Sequence, residues 1–145
     1  MLTVELIRRG ARYFPERTAI LFEDKSLTFV GVNELSNRFA HVLARNGITR
    51  GSRLAILANN SIYSMPVDFG CVKAGAARTP LNARLSIDEH EHMLRETGAQ
   101  VLIYDAELAE RAEALAARVD GLTMLGLGSK FAIRSFLSMK GVMSS

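Results

Sequence analysis

Leu2, Leu6, Ile7, Tyr13 and Phe14 recur at helical intervals ahead of Pro15, and the apolar pattern then shortens. Ala19-Ile20-Leu21-Phe22 and Leu27-Thr28-Phe29 read as the two strands of a hairpin around Glu23-Asp24-Lys25. Helical spacing returns at Val32, Leu35, Phe39, Val42 and Leu43. Glu34, Arg38, His41 and Arg45 fall on the opposite side and Gly47 supplies a stop, so this segment predicts an amphipathic helix packed on a sheet.

Leu54-Ala55-Ile56-Leu57-Ala58 is apolar without alternation, as in a parallel strand covered on both faces. The helix after it contains Pro66. Capped by Ser61, that helix would hold Pro66 deep enough to lose a hydrogen bond and clash with an earlier carbonyl, at about 3 kcal/mol. Either a later start, capped by Ser64, or a kink is expected. In Val72-Lys73-Ala74-Gly75-Ala76-Ala77-Arg78-Thr79-Pro80-Leu81-Asn82-Ala83-Arg84-Leu85, Gly75 fits the helix stop and Lys73 a cation near the last carbonyls. Pro80 closes a short strand near 76–79. Ser86-Ile87-Asp88-Glu89 has the capping-box spacing and opens a helix from Ile87 to about Thr97. A strand over 100–104, a helix from Ala106 to about Arg118 and a strand over 122–127 complete a βαβαβαβ alternation. Short connections and right-handed crossovers then imply an α/β fold, a mostly parallel sheet with helices on both faces.

Composition adds bounds. A chain of 145 residues with 48% hydrophobic content suits one domain with an ordinary core. No run of about 18 apolar residues is present to cross a bilayer, and Met1-Leu2-Thr3-Val4-Glu5-Leu6 lacks a signal peptide's basic region and apolar core, so a cytoplasmic location is expected. The net charge of +3 lies wholly in residues 129–145, which carry Lys130, Arg134 and Lys140 and no acid. Residues 1–128 are balanced and hold no positive field for nucleic acid. The domain is therefore placed at 1–128 and followed by a basic tail, expected to be disordered or out of frame. The alternative for the tail is a basic amphipathic helix for a membrane surface, using Phe131, Phe136, Leu137 and Met139. Cys71 sits in an apolar helical pattern and reads as a buried thiol.

Lys73-Ala74-Gly75-Ala76 with Pro80-Leu81-Asn82-Ala83-Arg84 carries a family resemblance. Leu27-Thr28-Phe29, Asn37-Arg38, Gly47-Ile48-Thr49-Arg50-Gly51-Ser52-Arg53-Leu54-Ala55 and Asn60-Ser61 agree before it, and Glu89, Leu94, Gly98-Ala99 and Val101-Leu102-Ile103 after it. In order and spacing the chain resembles the AMP-forming acyl-CoA synthetases, the fatty-acid–CoA ligases of the adenylate-forming superfamily, over roughly residues 3–125. The resemblance implies the N-terminal part of such a ligase's large domain, truncated before its catalytic motifs. It also implies a parent reaction in which a fatty or other carboxylic acid and ATP, with Mg, form an acyl-adenylate that passes to the thiol of CoA. The family's Ser/Thr/Gly-rich triphosphate loop ending in Pro-Lys-Gly, and its C-terminal catalytic Lys, have no counterpart here.

No catalytic, cofactor-binding or metal residue is therefore assigned, and the fragment itself is expected to be inactive. The family-matching positions Asn60, Ser61, Lys73, Gly75, Pro80, Asn82 and Arg84 read as architectural. Asn82 is expected to bond the turn before the Ser86 helix, and Arg84 to pair with a neighbouring carboxylate or carbonyl. Gly31 stands where the ligases have a Glu completing the cap begun by Thr28, and Arg78 interrupts a run that is usually apolar.

The stretch from Gly121 to Lys130 has an apolar interior and the wrong lysine spacing for a phosphate loop, so it reads as a strand end. His90-Glu91-His92 places its histidines two apart, on different sides of a helix, and reads as a solvated face rather than a metal site. His41, among Glu34, Arg38 and Arg45, is expected to be exposed. Two other functions remain open: a non-catalytic module that associates through an exposed sheet edge, or a small nucleotide- or CoA-binding domain using the strand ends. Self-association is expected of the truncated ligase, through the edge and apolar faces that a partial sheet exposes.

Overall fold

The computed structural model describes residues 2–127. Helix α1 (Leu2–Tyr13) leads into an antiparallel hairpin of β1 (Thr18–Phe22) and β2 (Lys25–Thr28), and α2 (Phe29–Arg45) follows directly. Then come β3 (Arg53–Leu57), α3 (Ser64–Lys73), β4 (Ala77–Leu81), α4 (Ile87–Thr97), β5 (Val101–Tyr104), one 3-10 turn (Ala106–Leu108), α5 (Ala109–Arg118) and β6 (Thr123–Gly126). Strands β3 to β6 form one sheet in the order β4-β3-β5-β6, with every neighbouring pair parallel.

Alternation along β3 divides the core. Leu54 and Ile56 join Phe39, Val42 and Leu43 of α2 and Val67 and Cys71 of α3. Ala55 and Leu57 join Leu94 of α4 and Ala112 and Leu115 of α5. Helices thus cover both faces, which is why the β3 run has no polar position between Leu54 and Leu57. A third cluster, Val4, Ile7, Val32 and Phe69, lies where α1 and the hairpin pack on α2 and α3.

Two local expectations are corrected, and a third narrows to one of its two alternatives. The buried face of α1 is Val4 and Ile7, while Leu6, Tyr13 and Phe14 are exposed, because Gly10 lets the Phe29 ring press against the helix. Pro80 lies inside β4 rather than closing a strand before it. That is tolerated because among the described residues β4 is an edge strand, paired with β3 alone. Pro66 resolves as the late start: it is the third residue of α3, where its absent N–H would have had no partner in the helix. Tyr63, not Ser64, stands at the cap, and the Ser64 hydroxyl instead accepts from the Ser61 amide at 2.9 Å.

Other signals hold as read. Ser86 and Glu89 form a reciprocal capping box at α4. Thr28 caps α2 by accepting from Gly31 N at 3.1 Å, with the reciprocal carboxylate missing because residue 31 is Gly. Arg78 is exposed on the β4 edge and donates to Asp68 at 3.0 Å. The readings for 129–145, and the boundary at 128, lie outside the described residues.

Candidate functional site

Parallel pairing sends β3, β4 and β5 out of the sheet at one edge. From there the chain enters α3 on one face after β3, and α5 on the other face after β5, so the two loops part and leave a crevice at the strand ends. A cavity of about 620 Å³ lies there, floored by Ile56 and Leu81 and walled by Asn60, Ser61, Ser64, Asp68, Asn82 and Arg84.

Each wall is fixed by its own local chemistry. Asn59 joins the loops after β3 and β5: its amide donates to Asp105 Oδ2 at 2.8 Å and its side chain to Glu107 at 3.3 Å. Burial raises the Asp105 carboxyl above its ordinary value, opposed by the Asn59 amide and aided by Glu107. The loop into α3 folds on itself, since the Ser61 amide donates to Ser64 Oγ and the Tyr63 amide to Ser61 Oγ at 3.1 Å. Asn82 organises the turn after β4: its side chain accepts from the Arg84 amide at 2.9 Å, and its carbonyl accepts from Leu85 N at 3.1 Å.

Arg84 departs from expectation. Its side chain is exposed at the cavity wall and makes no hydrogen bond or ion pair among the described residues. His90 is the larger correction: it is fully buried, with Nε2 2.7 Å from the Asn82 carbonyl and Nδ1 2.9 Å from an Arg111 nitrogen. These two partners satisfy both ring nitrogens and so permit burial. His92, two residues on, is exposed and 2.8 Å from Glu96, and His41 is exposed.

Of the seven family-matching positions, Asn60, Ser61, Pro80, Asn82 and Arg84 meet at the cavity. Lys73 and Gly75 lie elsewhere. Lys73 Nζ bridges α3 to α2, donating to Asn33 Oδ1 at 2.9 Å, Ser36 Oγ at 2.7 Å and Asn37 Oδ1 at 2.8 Å. Burial, with Arg8 acting in the same direction, pushes its ammonium down to about 8. Gly75 takes φ +79°, and a Cβ there would come within 3.1 Å of the Arg50 backbone.

Among the described residues the cavity therefore offers hydroxyls, amides, the engaged carboxylates of Asp68 and Asp105 and the unpaired Arg84 cation, which suits a polar group or an anionic one at Arg84. Among the described residues it holds no nucleophile with a base beside it. Cys71 is buried elsewhere, and burial pushes its thiol up to about 12. Among the described residues no group of three His, Cys, Asp or Glu could hold a metal ion. Asn59 and Asp105 were missed in the sequence, although each follows a strand closely, the position from which loop side chains reach a strand-end crevice.

Residues 7–131 match the family described as AMP-binding enzyme. Over 122 residues the chain is 34% identical to a fatty acid–[acyl-carrier-protein] ligase, ScoC, of Streptomyces coeruleorubidus, covering 84% of this chain and 23% of that protein. Over 117 residues it is 37% identical to the long-chain-fatty-acid–CoA ligase FadD13 of Mycobacterium tuberculosis, covering 79% and 23% respectively. The crystal structure of the N-terminal domain of FACL13 from Mycobacterium tuberculosis superposes with a TM-score of 0.80 at 31% identity, covering 93% of this chain and 35% of that one. The chain thus spans about a quarter of the length of the curated relatives it matches.

Proposed function

Because this chain belongs to the AMP-binding enzyme family, we propose that it is the N-terminal part of a ligase that joins a fatty or related carboxylic acid to CoA through an acyl-adenylate. The observation that carries this reading is the superposition on the FACL13 N-terminal domain, which runs over 93% of the chain. In the parent reaction ATP and Mg activate the acid and CoA takes the acyl group. The proposal places the protein in the cytoplasm. In this reading residues 1–128 are its α/β portion and 129–145 a tail, the family match running to residue 131.

The residues present fit only a part of that ligand set. A triphosphate is held by a concave run of free backbone amides, and here the Ser61 and Tyr63 amides are already taken by Ser64 and Ser61 hydroxyls. Mg keeps one or two carboxylates, and at this cavity Asp68 is engaged by Arg78 and Asp105 by the Asn59 amide. What remains is a polar surface with the Arg84 cation, suited to an anionic group of a ligand. Asn60, Ser61, Lys73, Gly75, Pro80 and Asn82 are architectural in this reading.

These 145 residues by themselves are thus expected to give no ATP–pyrophosphate exchange with any fatty acid. Turnover above background that persists through repurification and tracks with this chain would overturn the inactive reading. The strand-end cavity also favours a second reading, a small domain that binds a nucleotide or CoA without chemistry. Saturable binding of either by the isolated chain, with no exchange, would support it.

A further inference from the structure

The turn that carries Arg84 is held from outside by two residues that are bonded to each other. His90 Nε2 lies 2.7 Å from the Asn82 carbonyl, at the start of the turn. An Arg111 nitrogen lies 3.0 Å from the Leu85 carbonyl, at its end, and the same nitrogen is 2.9 Å from His90 Nδ1. The tautomer follows from the partners. A carbonyl only accepts and a guanidinium only donates, so Nε2 carries the proton and Nδ1 the lone pair. His90 comes from α4 and Arg111 from α5, so both helices on that face of the sheet converge on one four-residue turn. Inside the turn the Arg84 and Leu85 amides both bond to Asn82. The one cation it displays is Arg84, at the cavity wall.

A histidine present only to fill the core would need no such polarity. We propose that His90, locked as the Nε2–H tautomer by Arg111, is a positioning residue that fixes the Asn82–Leu85 turn and so aims Arg84 at an anionic group of the ligand in the strand-end cavity. The role of Arg84 rests on the reading given under Proposed function; the positioning of the turn does not. His90 transmits the place of α5 to the turn through its ring, and Arg111 keeps the ring from rotating or changing tautomer.

The two ring bonds separate by substitution. His90→Gln keeps a donor near the Nε2 position, His90→Asn keeps an acceptor near Nδ1, and His90→Leu removes both at similar volume. In the full chain, nitrogen-15 spectra of the ring should show a protonated Nε2 and an unprotonated Nδ1 at neutral pH; the opposite tautomer, or a doubly protonated ring, would overturn the proposal. Amide hydrogen exchange at Leu85 should speed up about tenfold in His90→Leu, with the β5 amides unchanged, and His90→Gln should restore much of the protection. Unchanged exchange at Leu85 would overturn it. If His90→Leu does not fold, the His90→Gln and His90→Asn pair decides: equal exchange at Leu85 in both, at the wild-type rate, would overturn it.

CoA, ATP and inorganic pyrophosphate, titrated separately, then test the ligand. Arg84→Ala should weaken one of them about tenfold, and adding His90→Asn should weaken it no further, because the two act through one contact. If Arg84→Ala changes none of the three, the ligand reading and the aim assigned to Arg84 fall together, while the exchange data still decide the positioning of the turn.

Discussion

Lys73 ends α3 with its ammonium among the oxygens of Asn33, Ser36 and Asn37, in a contact that supplies acceptors but no carboxylate. Its ordinary value of 10.5 falls to about 8 in the folded chain. Between those values the unfolded chain holds this proton and the folded chain has released it, so the unfolded state binds more protons and stability rises with pH. Below about 8 both states hold the proton, and the burden of the buried charge is constant. Wild type should therefore gain stability relative to Lys73→Met as pH climbs from 8 to 10.5, measured by urea unfolding. A difference that stays flat across that window would show the ammonium to be fully compensated by its acceptors. Residue identity alone announced Gly75 and Asn82, because a left-handed stop and a side-chain turn demand particular residues. It did not announce Lys73 as a bridge or His90 as a buried relay, because both depend on groups about 20 to 40 positions away.

Helices α2 and α3 approach closely through Gly70, where a Cβ would meet Phe39 Cδ2 at 2.8 Å and the Ser36 carbonyl at 3.1 Å. The ring could yield but the carbonyl is backbone, so Gly70→Ala should cost about 1–3 kcal/mol in thermal or urea unfolding. A neutral result would mean that the helices separate freely. At α4, Ser86→Ala leaves the Glu89 amide without its acceptor and should cost about 0.5–2 kcal/mol. Full stability in that variant would place the helix start under the control of packing rather than of the cap. Helix starts and stops were readable because caps are local chemistry. The α1 face was misread because spacing names which residues share a side, not which side meets the core. Val4 and Ile7 won that place through the Gly10 contact with Phe29.

At the scale of the molecule the four-stranded sheet has two different edges. β4 is blunted by Pro80 and the exposed Arg78, features that discourage pairing with another strand. Among the described residues β6 pairs only with β5 and has no such guard. Together with exposed Leu6, Phe14 and Leu21, this edge should drive self-association at micromolar concentration, with little salt dependence because the surface is apolar. Sedimentation checks it: a clean monomer at tens of micromolar with cooperative unfolding would favour a free-standing module. The α/β class, the order of elements and the parallel sheet were determined by the sequence by itself, because period, caps and short connections act over a few residues each. The family was legible on the same basis, in the order and spacing of short motifs. Only the tertiary structure decided that Asn60, Ser61, Pro80, Asn82 and Arg84 share one cavity while Lys73 and Gly75 do not, and that His90 turns inward to hold the turn. Those outcomes follow from which strand ends lie side by side and which helix faces meet, and no local pattern along the chain encodes that.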